Sequence, residues 1–141
     1  MNRDKPRSEA AAQLMRAACR LFAERGVDGV TVRDIAEAAG QKNHGAVTYH
    51  FGSKEALIRA VLLEGAAVID ERRNAWLDEM EARGGPQRVR EVVEVLIRAS
   101  VDLAGPGGAD DYNRFVVLLS LSHRDLFLQA LGGRWNSGYL R

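Results

Sequence analysis

The sequence has little cysteine, little proline, few aromatic residues and no long apolar run. Among its 141 residues, one is cysteine, three are proline and 6% are aromatic. The single cysteine, Cys19, excludes a disulfide within the chain and a cysteine-based zinc site, and its apolar neighbours predict a small core residue. No apolar run approaches the ~18 residues that span a bilayer, and residues 1–10 lack the apolar centre of a secretory signal. We therefore expect a cytoplasmic protein with no membrane partner.

Charge is distributed unevenly along the chain, although the net charge is only +1. Residues 1–60 contain ten Lys/Arg and seven Asp/Glu, whereas residues 61–141 contain ten arginines, no lysine and twelve Asp/Glu. A basic first part favours contact with a polyanion. A few surface charges with no role would give the same counts, so charge alone leaves both interpretations open.

Apolar residues recur at helical spacing, and no segment shows the strict alternation of a half-buried strand. Ser8 and Thr31 are the expected N-caps of the first two helices, Asp34 completes a capping box, and Gly26 and Gly40 end the two helices. Seven helices are predicted, at about residues 8–25, 32–39, 45–51, 53–82, 87–104, 110–121 and 123–132. The predicted fold class is all-α.

The second and third helices are short, and a turn of about four residues joins them, which is typical of a helix-turn-helix. The second helix of that motif usually reads the major groove of DNA. Small residues, Gly45 and Ala46, allow close approach, and Thr48 can contact a base edge or a thymine methyl. Tyr49 and His50 can donate to phosphates. The polar segment QKNHGAVTYHF, residues 41–51, is therefore expected to lie against DNA.

Other interpretations of the same residues stay open. Tyr49 could be a half-buried packing residue, His50 a hydrogen-bonded core histidine, and Lys54 a solvated side chain. Lys54 begins the fourth helix, however, where its charge is mildly unfavourable unless an anion such as a phosphate is near. His44 and His50 are six residues apart and do not share a helix face, so we expect no metal site.

Residues before the first helix are basic, and they also allow two interpretations. Arg3, Lys5 and Arg7 could form a solubilising tail, or an arm that reaches into the minor groove. The sequence does not decide between them.

Two runs, AERGVDGVTVRDIAEAAG (23–40) and AVTYHFGSKEALIRAV (46–61), resemble the TetR family of bacterial transcriptional regulators. The resemblance covers about residues 8–65. The segment QKNHGAVTY is one residue longer than its counterpart in most members, and it is closest to a sub-branch with the pattern G-Q-x-N-x-x-A-V-x-Y-H-F. Members are homodimeric repressors, less often activators, that bind palindromic operators through an N-terminal domain. A small molecule bound in a helical C-terminal domain commonly releases the DNA.

The resemblance implies which residues contact DNA. Arg33 falls at a base or phosphate position, Lys54 and His50 fall at phosphate positions, and Val47 and Phe51 fall in the core. The longer turn could rotate the third helix and give base reading to Asn43 and His44. The full set of candidate DNA contacts is Arg33, Asn43, His44, Gly45, Thr48, Tyr49, His50 and Lys54.

The resemblance also implies the domain organisation. A DNA-binding domain at 8–54 is expected to continue through a long helix into a ligand-binding and dimerisation domain at 55–141. That second domain is expected to be incomplete at its C-terminus, because only GGRWNSGYLR follows Leu131 where the family has two further helices. An apolar or amphipathic effector is expected among helices four to seven, in the region of Trp76, Met80, Phe115, Phe127 and Trp135.

The predicted function is therefore a DNA-binding regulator, a repressor released from its operator by a small-molecule ligand. We expect a homodimer that uses no cofactor. Two alternatives are a helical interaction protein that keeps the DNA-binding fold without an operator, and a small-molecule-binding enzyme. The sequence contains no Gly-x-Ser-x-Gly, no P-loop and no metal-ligand cluster, so we do not expect an enzyme.

Overall fold

The structure is a computed structural model, and it describes residues 7–101 and 110–132. These residues form helices and turns, with no strand among them. The α-helices are α1 (Glu9–Arg25), α2 (Val32–Ala38), α3 (Ala46–Phe51), α4 (Lys54–Ala82), α5 (Val89–Val101), α6 (Asp111–Ser122) and α7 (Arg124–Leu131). The all-α class and the seven predicted helices are confirmed. A short 3₁₀ helix, Val27–Gly29, lies between α1 and α2.

Three predictions fall partly or wholly outside the described residues. They concern the basic residues Arg3 and Lys5, the end of the fifth helix at 102–104, and the segment that follows Gly132.

Side-chain caps fix the beginnings of the first two helices, as the sequence predicts. The Ser8 hydroxyl accepts a hydrogen bond from the Ala11 amide at 3.1 Å. The Thr31 hydroxyl accepts from the Asp34 amide at 3.0 Å, and the Asp34 carboxylate accepts from the Thr31 amide at 2.9 Å. Gly26 ends α1 with φ +76°, a conformation that strongly favours glycine. These contacts satisfy amides that a helix end otherwise leaves unpaired.

The described chain divides into two compact units, residues up to Val61 and residues from Leu62 onward. The division falls within α4. The domain bounds predicted from the sequence, 8–54 and 55–141, stay a prediction.

The first unit is built on a small apolar core that positions α3. With six residues, α3 is only ~9 Å long, and a helix of that length is unstable alone. It is held by the complete burial of Val47 and the near-complete burial of Ala46. The other fully buried large side chains of this unit are Leu14, Phe22, Val30, Ile35 and Leu57.

Two residues expected in this core are only half-buried. Phe51 is the last residue of α3, and the Arg7 guanidinium lies over its ring, 5.5 Å from the ring centre, in a cation–π contact. One ring face is thus covered by a charged side chain rather than by the core. Cys19 is also half-buried. Both predictions of a core position were wrong.

The second unit contains part of α4, α5, α6 and α7, and Phe115 and Leu119 of α6 are buried in it. The Tyr112 hydroxyl donates to the Leu62 carbonyl at 2.6 Å, and its ring lies directly over Gly65. The α4 backbone is therefore closely covered by α6 at this point.

Within the described residues, 7–101 and 110–132, no helix combines the length and the apolar character needed to cross a bilayer.

Candidate nucleic-acid interface

The short helix α3 has one buried face and one exposed polar face. Ala46 and Val47 are buried, while Thr48 and Tyr49 are exposed. The Tyr49 side chain is 83% exposed, so it is not the half-buried packing residue that we considered as an alternative. A tyrosine with this exposure places a hydrogen-bonding hydroxyl and an aromatic ring in position for a partner. The only ring contact assigned to Tyr49 in the described structure is an edge-to-face contact with His50, with centroids 4.9 Å apart.

The turn before α3 is shaped by an asparagine side chain. Asn43 Oδ1 accepts a hydrogen bond from the Gly45 amide at 2.8 Å, and the Asn43 carbonyl accepts from the Ala46 amide at 3.2 Å. A β-carbon at position 45 would lie 3.2 Å from that Oδ1, which is a tight contact. Asn43 and Gly45 therefore fix the start of α3, a role that the asparagine two residues before the glycine could have indicated.

A carboxylate that we did not predict joins two of the predicted residues. Glu37 of α2 lies with its Oε1 3.2 Å from Arg33 Nε and 3.6 Å from His44 Nε2. All three side chains are about half exposed or more: Glu37 is 54% exposed, Arg33 68% and His44 47%. The signal in the sequence was the spacing of four between Arg33 and Glu37, which places both on one helix face.

The beginning of α4 is a capped helix terminus. The Ser53 hydroxyl accepts from the Ala56 amide at 3.0 Å, and Lys54 is the first helical residue. Lys54 and His50 are half-buried rather than fully exposed. Glu55 pairs with Arg59 at 3.0 Å, so this carboxylate already has a cation on its own helix.

The capping box at the start of α2 lowers the pKa of a carboxyl group next to Arg33. The pKa of Asp34 is lowered from its usual value of 3.8, chiefly because the Thr31 amide and hydroxyl hydrogen-bond to the carboxylate. Arg25 and Arg33 lower this pKa further. Asp34 is therefore ionised at neutral pH and holds the first turn of α2, which carries Arg33.

The structure places all eight predicted residues in the first unit, on α2, the turn, α3 and the first residue of α4. Direct contacts link some of them: Asn43 with Gly45, and Tyr49 with His50. Arg33 and His44 are linked through Glu37. Six of the eight are exposed, which is the condition for contact with a large ligand, and two are half-buried.

Comparison with known families agrees with this arrangement. Residues 14–61 match the family described as bacterial regulatory proteins, tetR family. These residues include α2, α3 and the start of α4. Residues 14–61 are therefore similar to the TetR family.

Individual relatives extend the comparison. The chain is 44% identical over 68 residues to the HTH-type transcriptional repressor AcnR of Corynebacterium glutamicum, covering 48% of this chain and 35% of AcnR. It is 34% identical over 119 residues to the HTH-type transcriptional dual regulator CecR of Shigella flexneri, covering 81% of this chain and 52% of CecR. The chain thus spans about a third to a half of the length of these relatives.

A solved structure shows the same fold. A TetR-family transcriptional regulator from Rhodococcus sp. superposes with a TM-score of 0.60 at 23% identity, covering 93% of this chain and 65% of that protein. At this identity the similarity supports the fold alone, and it extends beyond the N-terminal unit.

Proposed function

We propose that this protein is a DNA-binding transcriptional regulator whose first unit binds an operator. The observation that carries the proposal is the exposed polar face of α3, where Thr48 and Tyr49 project from a helix held by the buried Val47. A helix of this kind, preceded by a second short helix and a fixed turn, fits the major groove. The match of residues 14–61 to a family of regulatory proteins supports the same function.

The candidate residues divide into base-reading and phosphate-binding groups. Thr48, in the middle of α3, suits a base edge or a thymine methyl. Lys54 and the capped amides at the start of α4 suit a phosphate. The Asn43 side chain shapes the turn by accepting a hydrogen bond from the Gly45 amide, so we assign Asn43 to positioning α3 and His44 to the DNA surface.

We further propose repression that a small molecule relieves. AcnR is named a repressor and CecR a dual regulator, and repression is the simpler outcome of binding an operator. A cleft of about 300 Å³ between α4 and α5 in the second unit is a candidate effector site. Its lining combines Trp76 and Met80 with charged residues including Glu79, Arg83 and Arg98. This lining favours an amphipathic effector over a purely apolar one.

The second unit also carries exposed apolar residues that suit a homodimer. Val89, Val93 and Ile97 follow one another at intervals of four along α5, and they are 80%, 44% and 55% exposed. A stripe of this kind is typical of a helix that meets a partner. We propose a second copy of the protein as that partner. Sedimentation of the chain at several concentrations would show a concentration-dependent dimer, and a monomer at all concentrations would contradict this assignment.

The function is tested by selecting duplexes from a random-sequence library with the full chain and measuring affinity by fluorescence anisotropy. We expect the selected duplex to bind more tightly than a scrambled duplex, with affinities that fall as salt rises. An interaction protein that keeps only the fold would bind neither duplex in a salt-dependent manner. Such a regulator acts in the cytoplasm, where bacterial chromosomal DNA lies.

A further inference from the structure

Glu37 is a carboxylate within a surface that we expect to face phosphates. It is the penultimate residue of α2, close to the negative end of the helix dipole. Both the phosphates and the helix end disfavour a negative charge at this point. The position of Glu37 therefore requires an explanation other than solubility.

Folding stability does not supply that explanation. Glu37 Oε1 contacts Arg33 Nε at 3.2 Å and His44 Nε2 at 3.6 Å, and all three side chains are substantially exposed. Exposed ion pairs contribute little to stability. An acidic residue four positions after the basic one is also the less favourable order on a helix. The effect of these contacts on Arg33 and His44, two of the candidate DNA contacts, offers another explanation.

We propose that Glu37 is a specificity-determining residue that reduces sequence-independent binding. Its charge offsets that of Arg33, so the pair attracts phosphates less than Arg33 alone would. Its contact uses the Nε of Arg33, which leaves the terminal amino groups of the guanidinium as donors for a base edge. Phosphate attraction carries no sequence information, whereas a directed hydrogen bond does. This role rests on the proposed DNA-binding function.

The test compares Glu37→Gln with Glu24→Gln in the full chain. Glutamine keeps the size of the side chain, and Glu24 is an exposed carboxylate of α1, so both variants change the net charge equally. For Glu37→Gln we expect affinity for a scrambled duplex to rise about fivefold per bound chain at about 0.15 M salt. The reason is that one added phosphate contact steepens the slope of log affinity against log salt by ~0.9. Affinity for the selected duplex should rise less, so the specificity ratio falls. Glu24→Gln should change neither the slope nor the ratio.

Further variants test whether Glu37 acts by offsetting the charge of Arg33. Glu37→Ala should behave as Glu37→Gln does, and circular dichroism would show that both remain folded. In an Arg33→Gln background, Glu37→Gln should lose most of its effect on the salt slope, since the cation that it offsets is gone.

Three outcomes would overturn the role of Glu37: an unchanged slope and ratio, an effect equal to that of Glu24→Gln, or weaker binding to the selected duplex alone. If the wild-type chain binds neither duplex in a salt-dependent manner, the proposed function fails, and the role of Glu37 fails with it. If the wild-type chain binds both duplexes and the Glu37 variants bind them as the wild type does, the proposed function stands and the role of Glu37 fails.

Discussion

At the scale of single residues, Thr48 and Lys54 occupy two different kinds of position. Thr48 is exposed in the middle of α3, and Lys54 is half-buried at the capped start of α4. A side chain that reaches bases and one that reaches phosphates should respond differently to the sequence of the DNA and to salt. Alanine variants of the two residues can therefore be distinguished.

Thr48→Ala should reduce the preference for the selected duplex over a scrambled one and leave the salt dependence of binding unchanged. We expect a loss on the order of 1–3 kcal/mol in affinity for the selected duplex. Affinity for a scrambled duplex and the salt slope should stay close to wild type. Anisotropy titrations with both duplexes measure these quantities, and an equal loss on both duplexes would mean that Thr48 does not face the bases.

Lys54→Ala should weaken binding to every duplex by a similar factor. Removing one phosphate contact should flatten the slope of log affinity against log salt by ~0.9 per half-site. Titrations at three salt concentrations give the slope. A Lys54→Arg variant is the control, because it keeps the charge and should keep the wild-type slope. A wild-type slope in Lys54→Ala would exclude a phosphate contact at this residue.

Residue types in the sequence predicted which positions would be polar and exposed, but not what they contact. Thr48 and Tyr49 could be assigned to a surface because helical spacing separates them from Val47. The Arg33–Glu37 pair follows from a spacing of four on α2, but the contact between Glu37 and His44 joins α2 to the turn, and helical spacing does not reveal it. The resemblance placed Phe51 in the core, but it does not reveal that a charged side chain, Arg7, lies over the ring.

At the scale of helices, Gly65 is an unusual residue for the interior of α4. Glycine costs about 1 kcal/mol relative to alanine inside a helix, so its presence needs a reason. A β-carbon at this position would lie 2.2 Å from the Tyr112 ring. The close packing of α6 on α4 therefore requires the absence of a side chain.

Gly65→Ala should destabilise the second unit, because overpacking costs about 1–3 kcal/mol and outweighs the gain in helix propensity. Chemical denaturation measures the change. In a Tyr112→Ala background the obstruction is gone, and the same substitution should stabilise by about 1 kcal/mol. Stabilisation by Gly65→Ala in the wild-type background would contradict the packing of Tyr112 on α4.

The capping box of α2 should make the first unit sensitive to acid. The pKa of Asp34 is lowered in the folded state, because the Thr31 amide and hydroxyl hydrogen-bond to its carboxylate. The Asp34 carboxylate therefore contributes its full stabilisation above its unfolded pKa of about 3.8. That stabilisation is lost as the pH falls through the lower pKa of the folded state. Denaturation of wild type and Asp34→Asn at several pH values should show a difference that shrinks below pH 4. Glu24→Gln is the control, and a difference that stays constant with pH would contradict the effect.

Helix caps were the most predictable elements of the fold, because they depend on residues three or four positions apart. Ser8 and Thr31 cap the helices that the sequence predicts, and Ser53 caps α4 in the same way. The fifth helix begins later than predicted, because the Glu91 carboxylate accepts from the Gln87 and Arg88 amides at 2.7 and 3.2 Å. Those two residues belong to the cap rather than to the helix.

At the scale of the whole molecule, the two units differ in how far their sequence reveals a role. The first unit combines local signals in one motif, so its residues predicted both the fold and a DNA-binding function. The second unit has apolar residues at helical spacing, but spacing alone does not say which faces meet. Its cleft contains more charged residues than the sequence led us to expect, including Glu79, Arg83 and Arg98. A ligand class could therefore not be read from periodicity.

The most direct measurement of DNA contact is an amide chemical-shift titration of the isotopically labelled full chain with the selected duplex. We expect the largest changes at the start of α2 and across residues 43–54, and smaller changes at the same amides with a scrambled duplex. The shifts should involve Thr48 and Tyr49 in particular, because they form the exposed face of α3. Changes confined to other parts of the chain, or no saturable change at all, would contradict the assignment of this surface to DNA.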